Sequence, residues 1–184
     1  MNRLTYLLKG KTQYNLHSPF VFELYNEVLL PRTNSVQLKS NNLRGLCKRN
    51  AALVYKIADH FAITNLFVGG YANGHPFSAW AENVLPNLVA SRVLHDDNLK
   101  KERYKNLLIC CSIDYYSLYE NTLHSMVSND TIFAITDIHS SKAAEKQWRS
   151  VLNNPANKLA IDLFSCGLVF FRKELSTQRY VLLV

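Results

Sequence analysis

Short apolar runs alternate along this chain with longer stretches in which apolar residues return every three or four positions, and the alternation predicts the architecture. The clearest unit is the run Ile63–Val68, which stops at Gly69-Gly70 and continues through Tyr71-Ala72-Asn73-Gly74 toward a helix. A buried parallel strand reads this way when its carboxyl end faces a ligand crevice. We therefore read it as the first and central strand of an open α/β sheet. A helix over Pro76–Val84 follows, with Phe77, Trp80 and Ala81 inward, and then a strand over Leu88–Leu94 that ends at His95-Asp96-Asp97. A short helix through Asn98–Tyr104 leads to a strand at Asn106–Cys111 and a helix from Asp114 to Val127, with Leu118, Thr122, Leu123 and Met126 on one face.

The last third repeats the pattern. Strand Thr131–Thr136 ends in Asp137-Ile138-His139, and Ser140 or Ser141 caps a helix through Leu152 that carries Ala144 and Trp148. Two strands follow, Leu159–Phe164 and Leu168–Arg172. Their link, Ser165-Cys166-Gly167, is too short for a crossover, so the pair must be antiparallel. Tyr180–Val184 adds an extended segment. Ahead of the sheet, Ser18-Pro19 signals a helix start, and Phe20, Leu24 and Val28, flanked by Val21 and Tyr25, make an amphipathic helix that ends before Pro31. It is either a packing helix or a lid with His17 and Tyr14 facing a pocket. A polar loop then precedes a second helix over Leu43–Phe61, with Leu46, Leu53, Val54, Ile57 and Phe61 on its stripe. The expectation is one domain over 1–184: an N-terminal helical extension, 1–61, on an α/β core, 62–184.

Composition narrows the class. At 184 residues, with 48% hydrophobic and 19% charged residues, the chain can bury a core and is not of disordered type. No apolar stretch approaches the roughly 18 residues of a membrane span, and the segment Met1–Thr5 lacks signal-peptide character. We expect no membrane partner. Cys47, Cys110, Cys111 and Cys166 form no CxxC pair, so reduced buried thiols and a cytoplasmic location are expected. The net charge of +7 comes largely from Arg3 to Arg49 and Lys100 to Lys105, and it can attract anions. No nucleic-acid-binding motif accompanies it, which disfavours nucleic acid and leaves a solvated basic face.

The candidate chemistry lies at the strand ends. Gly69, Gly70, Tyr71, Asn73 and Gly74 form a turn that lets a ligand approach the backbone. Asp96 and Asp97 stand where adenosyl and dinucleotide folds hold ribose hydroxyls, a position equally suited to a helix N-cap. Asp137 and His139 are candidates for orienting carboxylate and general base, with His17 as a second base. Tyr115 and Tyr116 can stack on a ligand ring or simply pack. The six histidines lack close metal-ligand spacing, so no metal site is expected.

Strand–helix units closing in an antiparallel hairpin resemble the class I S-adenosylmethionine-dependent methyltransferases. The segments Leu16-His17-Ser18-Pro19-Phe20-Val21, Ile161-Asp162-Leu163-Phe164 and Gly167-Leu168-Val169-Phe170-Phe171-Arg172-Lys173 are similar to a bacterial subgroup with an N-terminal His-Ser-Pro-Phe helix. The likeness covers both ends of the chain and little of the middle. It implies an open doubly wound sheet and, for an active member, S-adenosylmethionine as cofactor and methyl transfer to an unidentified acceptor.

The departures imply a degenerate member with weak or lost cofactor binding and a binding or structural role, its partner an unknown small molecule or protein and a homodimer left open. The family's carboxylate before the glycine turn has no counterpart in Asn65-Leu66-Phe67-Val68-Gly69-Gly70. Its Asp-Gly-Asn-His strand end reads Cys111-Ser112-Ile113-Asp114, and its Asp-Asp-Ile-His reads Thr136-Asp137-Ile138-His139. Only about ten residues separate His95 from Asn106, less than a βαβ connection of roughly 10–12 residues plus another strand and helix needs. One strand–helix unit is therefore expected to be missing.

Overall fold

In a computed structural model, which describes residues 3–31, 46–71, 77, 80, 90–93 and 104–184, seven strands form one sheet. They are β1 (Asn65–Gly69), β2 (Ala90–Val93), β3 (Leu107–Ser112), β4 (Ile132–Thr136), β5 (Leu159–Asp162), β6 (Cys166–Phe170) and β7 (Gln178–Val181), in the spatial order β2-β1-β3-β4-β6-β5-β7. β1 pairs in parallel with β2 and β3, and β3 with β4. β6 runs antiparallel to both β4 and β5, as the short link requires. β7 returns parallel to β5. The result is a Rossmann-like α/β sheet. β2 is its edge among the described residues.

Burial on both faces explains why β3 to β6 read as continuous apolar runs rather than alternating ones. On one face Leu66, Val68, Leu108 and Phe170 meet two helical segments. These are α2 (Pro19–Glu23), which continues as a π-helical turn over Leu24–Leu29, and α3 (Leu46–His60). On the other face Phe67, Ile109, Phe133 and Val169 meet α4 (Ile113–Ser125) and α5 (Lys142–Asn153). Each fully buried Leu or Phe in these layers stabilises by about 1.5–3 kcal/mol relative to exposure. Both serine caps hold: the Ser18 and Ser141 hydroxyls accept from the Val21 and Ala144 amides. Phe77 and Trp80 are buried as expected, whereas Ala81 lies outside the described residues.

Three expectations change. Leu118 is 78% exposed rather than inward. The buried face of α4 runs through Ile113, Tyr116 and Leu123, and the non-helical backbone at Tyr119 (φ −116°, ψ 17°) breaks the regular stripe. The closing segment is a true strand that begins earlier, at Gln178, where Arg179 reaches the carbonyls of Leu152 and Asn157. An additional helix, α1 (Arg3–Lys9), precedes α2; only Tyr6 on it is buried, which is why no periodicity announced it. The segment after it is bound to the segment after β7. Lys11 N–H donates to Val181 O (2.8 Å), Leu183 N–H to Lys11 O (3.1 Å), and the Tyr6 hydroxyl to Leu182 O. No described helix is long and apolar enough to cross a membrane.

His124, at the end of α4, packs edge-on against Phe133 and Phe171 and shares a 2.8 Å hydrogen bond with the Tyr116 hydroxyl. Burial lowers its pKa below the ordinary histidine value, with Glu120 opposing the shift. The unfolded chain therefore binds this proton at a higher pH than the fold does. The associated stability is complete above about pH 6.5 and is lost as pH falls through that value toward the folded pKa. We expect the stability of the wild type relative to His124→Phe to fall between about pH 7 and pH 5 in urea titrations. A difference that does not change with pH would contradict the assignment.

Candidate functional site

The register of the parallel strands brings three carboxyl ends level: Gly69 pairs with Cys111, and Ser112 with Thr136. The chain order reverses between β1 and β3, the switch point at which open sheets offer a crevice. At this point β3 turns directly into α4. The Ser112 hydroxyl accepts from Tyr115 N–H (3.3 Å), which caps the helix and lays Tyr115 over the glycine turn.

The contact is close. A Cβ on Gly69 would stand 2.5 Å from the Tyr115 ring, and one on Gly70 would stand 2.5 Å from both Ser112 Oγ and Tyr115 Cβ. Gly70 is also left-handed, φ +77°, a conformation that glycine adopts without strain. Tyr115 is 8% exposed and stacks on Tyr119 with ring centroids 4.6 Å apart. The glycines thus serve the approach of a side chain from the same protein.

Beside this contact runs a chain of hydroxyls. The Tyr71 phenol lies 2.7 Å from Thr136 Oγ1, and Thr136 donates to Asp137 Oδ2 at 2.9 Å. Burial, then the neighbouring Cys110, pushes the Tyr71 phenol well above its ordinary value, so it keeps its proton. With Thr136 donating onward, Tyr71 donates to Thr136, and the proton-bearing groups point in sequence at the Asp137 carboxylate. Asp137 has φ +63°, a costly backbone state for a non-glycine residue. Its N–H donates to Ser165 O (3.0 Å), which fixes the end of β4 to the β5–β6 turn, where Phe164 is likewise left-handed at φ +68°. Burial also pushes the Cys110 thiol up to about 12, and the Cys111 and Cys166 thiols well above their ordinary value. All three are neutral, apolar-like fillers at neutral pH.

His139 belongs to a separate cluster. Its Nε2 lies 2.7 Å from Asp162 Oδ2, its Nδ1 lies 3.8 Å from Glu145, and the side chain is 6% exposed. Asp162 also accepts from the Trp148 indole N–H (3.1 Å) and from Phe164 N–H (2.9 Å). The His139 ring is thus flanked by carboxylates at both nitrogens and largely closed from solvent.

The structure therefore brings Gly69, Gly70, Tyr71 and Asp137 to one sheet end and ties His139 to Asp162. His17 is exposed ahead of the α2 cap, and Tyr14 is 85% exposed. Asn73, Gly74, Asp96 and Asp97 lie outside the described residues. Sequence reasoning did not single out Thr136, Trp148 or Asp162 as site residues. Asp162 did carry a signal, since a carboxylate inside an apolar strand must be paired to be buried. No protein-family model, curated protein or solved structure matches this chain.

Proposed function

We propose that this chain is a methyltransferase-like scaffold with weak or lost S-adenosylmethionine binding, acting through binding or structure rather than catalysis. One observation carries the reading. Gly69 and Gly70 lie packed against the Tyr115 ring and Ser112 of this chain, with no room for a Cβ on either glycine. The described residues do not fit the cofactor at this turn. β1 offers no carboxylate to its charged end, and moving the Tyr115 ring would break its contact with Tyr119. Displacing a packed aromatic exposes apolar surface and leaves a void; truncations of such rings cost about 3–5 kcal/mol, comparable to a large part of a ligand's binding energy.

A second reading, an active S-adenosylmethionine-dependent methyltransferase on an unidentified acceptor, draws on the strained Asp137 and the Tyr71–Thr136–Asp137 relay. In that reading Asp137 would receive a proton from the acceptor, and methyl transfer would otherwise depend on alignment.

Isothermal titration of the full chain with S-adenosylmethionine and S-adenosylhomocysteine separates the two. The expected result is no saturable heat with either compound. Micromolar affinity for either would overturn the first reading in favour of the second.

A further inference from the structure

Two adjoining cavities open beside the β5–β6 turn, and no residue of the glycine turn lines them. The first, about 290 Å³, has apolar walls from Leu29, Ala52 and Leu53 and polar walls from Arg49, Asn50 and Lys56. The second, about 240 Å³, extends toward Arg3 and Tyr6 and shares Arg49, Leu163, Ser165 and Val184 with the first. Arg49, Leu53 and Lys56 follow one another at helical spacing on α3, so one helix face supplies two cations with an apolar residue between them.

The polar groups point to an anion. Lys56 donates to the carbonyls of Leu29 (3.2 Å) and Pro31 (2.9 Å), neutral acceptors that satisfy two of its three N–H groups. Among the described residues neither Arg49 nor Lys56 enters an ion pair; the pairs formed are those of His139. Burial lowers the Lys56 pKa from its ordinary value, as expected of a cation partly withdrawn from water without a carboxylate beside it. Asn50 is only 6% exposed, and its Oδ1 accepts from the Ser165 hydroxyl at 3.3 Å. That bond uses the oxygen alone and leaves the amide N–H groups as further donors in the wall.

We propose that this cavity is a binding site for a small organic carboxylate with an apolar body. The volume lies at the lower end of ligand pockets, roughly 300–1,000 Å³, which selects a small molecule. A guanidinium, a lysine already shared with two carbonyls and a neutral amide suit a single negative charge. The walls of Leu29, Ala52, Leu53 and Leu163 suit hydrocarbon and would desolvate a strongly hydrated inorganic anion at a cost. The site does not depend on the methyltransferase-like reading, since none of Gly69, Gly70, Ser112 and Tyr115 lines it.

The test uses octanoate, octanol and inorganic phosphate as probes, titrated calorimetrically into the full chain and into Arg49→Glu. Arg49 is exposed, so its replacement leaves the fold intact, and an unchanged melting temperature verifies this. Octanoate is expected to bind saturably, with octanol and phosphate at least about tenfold weaker and Arg49→Glu weakening octanoate by at least about tenfold. No saturable octanoate binding would overturn the proposal. So would equal binding of octanol or phosphate, or an octanoate affinity unaffected by Arg49→Glu.

Discussion

Asp162→Ala is expected to destabilise the fold by about 3–5 kcal/mol, because several largely buried donors lose one shared acceptor at roughly 1–3 kcal/mol each. Asp162 is 4% exposed and sits at the end of β5, where its two oxygens accept from three elements at once. His139 comes from the loop after β4, Trp148 from α5, and the Phe164 amide from the hairpin turn. Truncation removes the shared acceptor of an indole N–H, the His139 ring and a backbone N–H, and a largely buried donor left without its acceptor is costly. Asp162→Asn keeps one acceptor oxygen and should lose less, about 1–3 kcal/mol. Urea unfolding of both variants and of Trp148→Phe measures this. The double variant Asp162→Asn/Trp148→Phe should lose less than the sum of the two singles, because they share one bond. An alanine variant within about 1 kcal/mol of wild type would show that the network contributes little.

Gly70→Ala is expected to cost about 2–4 kcal/mol, combining about 1–2 for a left-handed non-glycine residue with an overpacking penalty of similar size. The added carbon meets Ser112 Oγ and Tyr115 Cβ, and both atoms are fixed by the α4 cap. Gly70→Asn tolerates the left-handed state better but adds further atoms to the same crowded space, so it too is expected to lose stability. This experiment also bears on what the glycines do. A loss well beyond the left-handed backbone share would mark the packing of Ser112 and Tyr115 against this glycine. Thermal unfolding without added ligand measures the loss, and an unshifted Tm for Gly70→Ala would remove the packing account.

The sheet was legible because its inner strands are buried on both faces, so β3 and β4 are near-pure apolar runs too short, between their flanking turns, to be buried helices. The hairpin was legible because Ser165-Cys166-Gly167 leaves no room for a crossover. Leu118 misled because a regular stripe presumes an unbroken helix, and the kink at Tyr119 rotates one half of α4 against the other. α1 stayed hidden since a helix that buries one tyrosine has no stripe to read. At the site, the glycine turn and Asp137 could be placed from local sequence. What occupies the space over the turn could not, since Tyr115 reaches Gly69 only through the Gly69–Cys111 register. The Asp162 partner of His139 was equally out of reach, being a pairing across 23 positions of chain.

The bonds joining Tyr6 and Lys11 to Leu182, Val181 and Leu183 link segments 176 positions apart in the case of Tyr6. During synthesis, α1 leaves the ribosome long before the strand that receives it exists. It must wait, undocked, through the making of almost the whole sheet. Contacts of such range close late and slow a fold's completion, and they leave apolar side chains uncovered in the meantime.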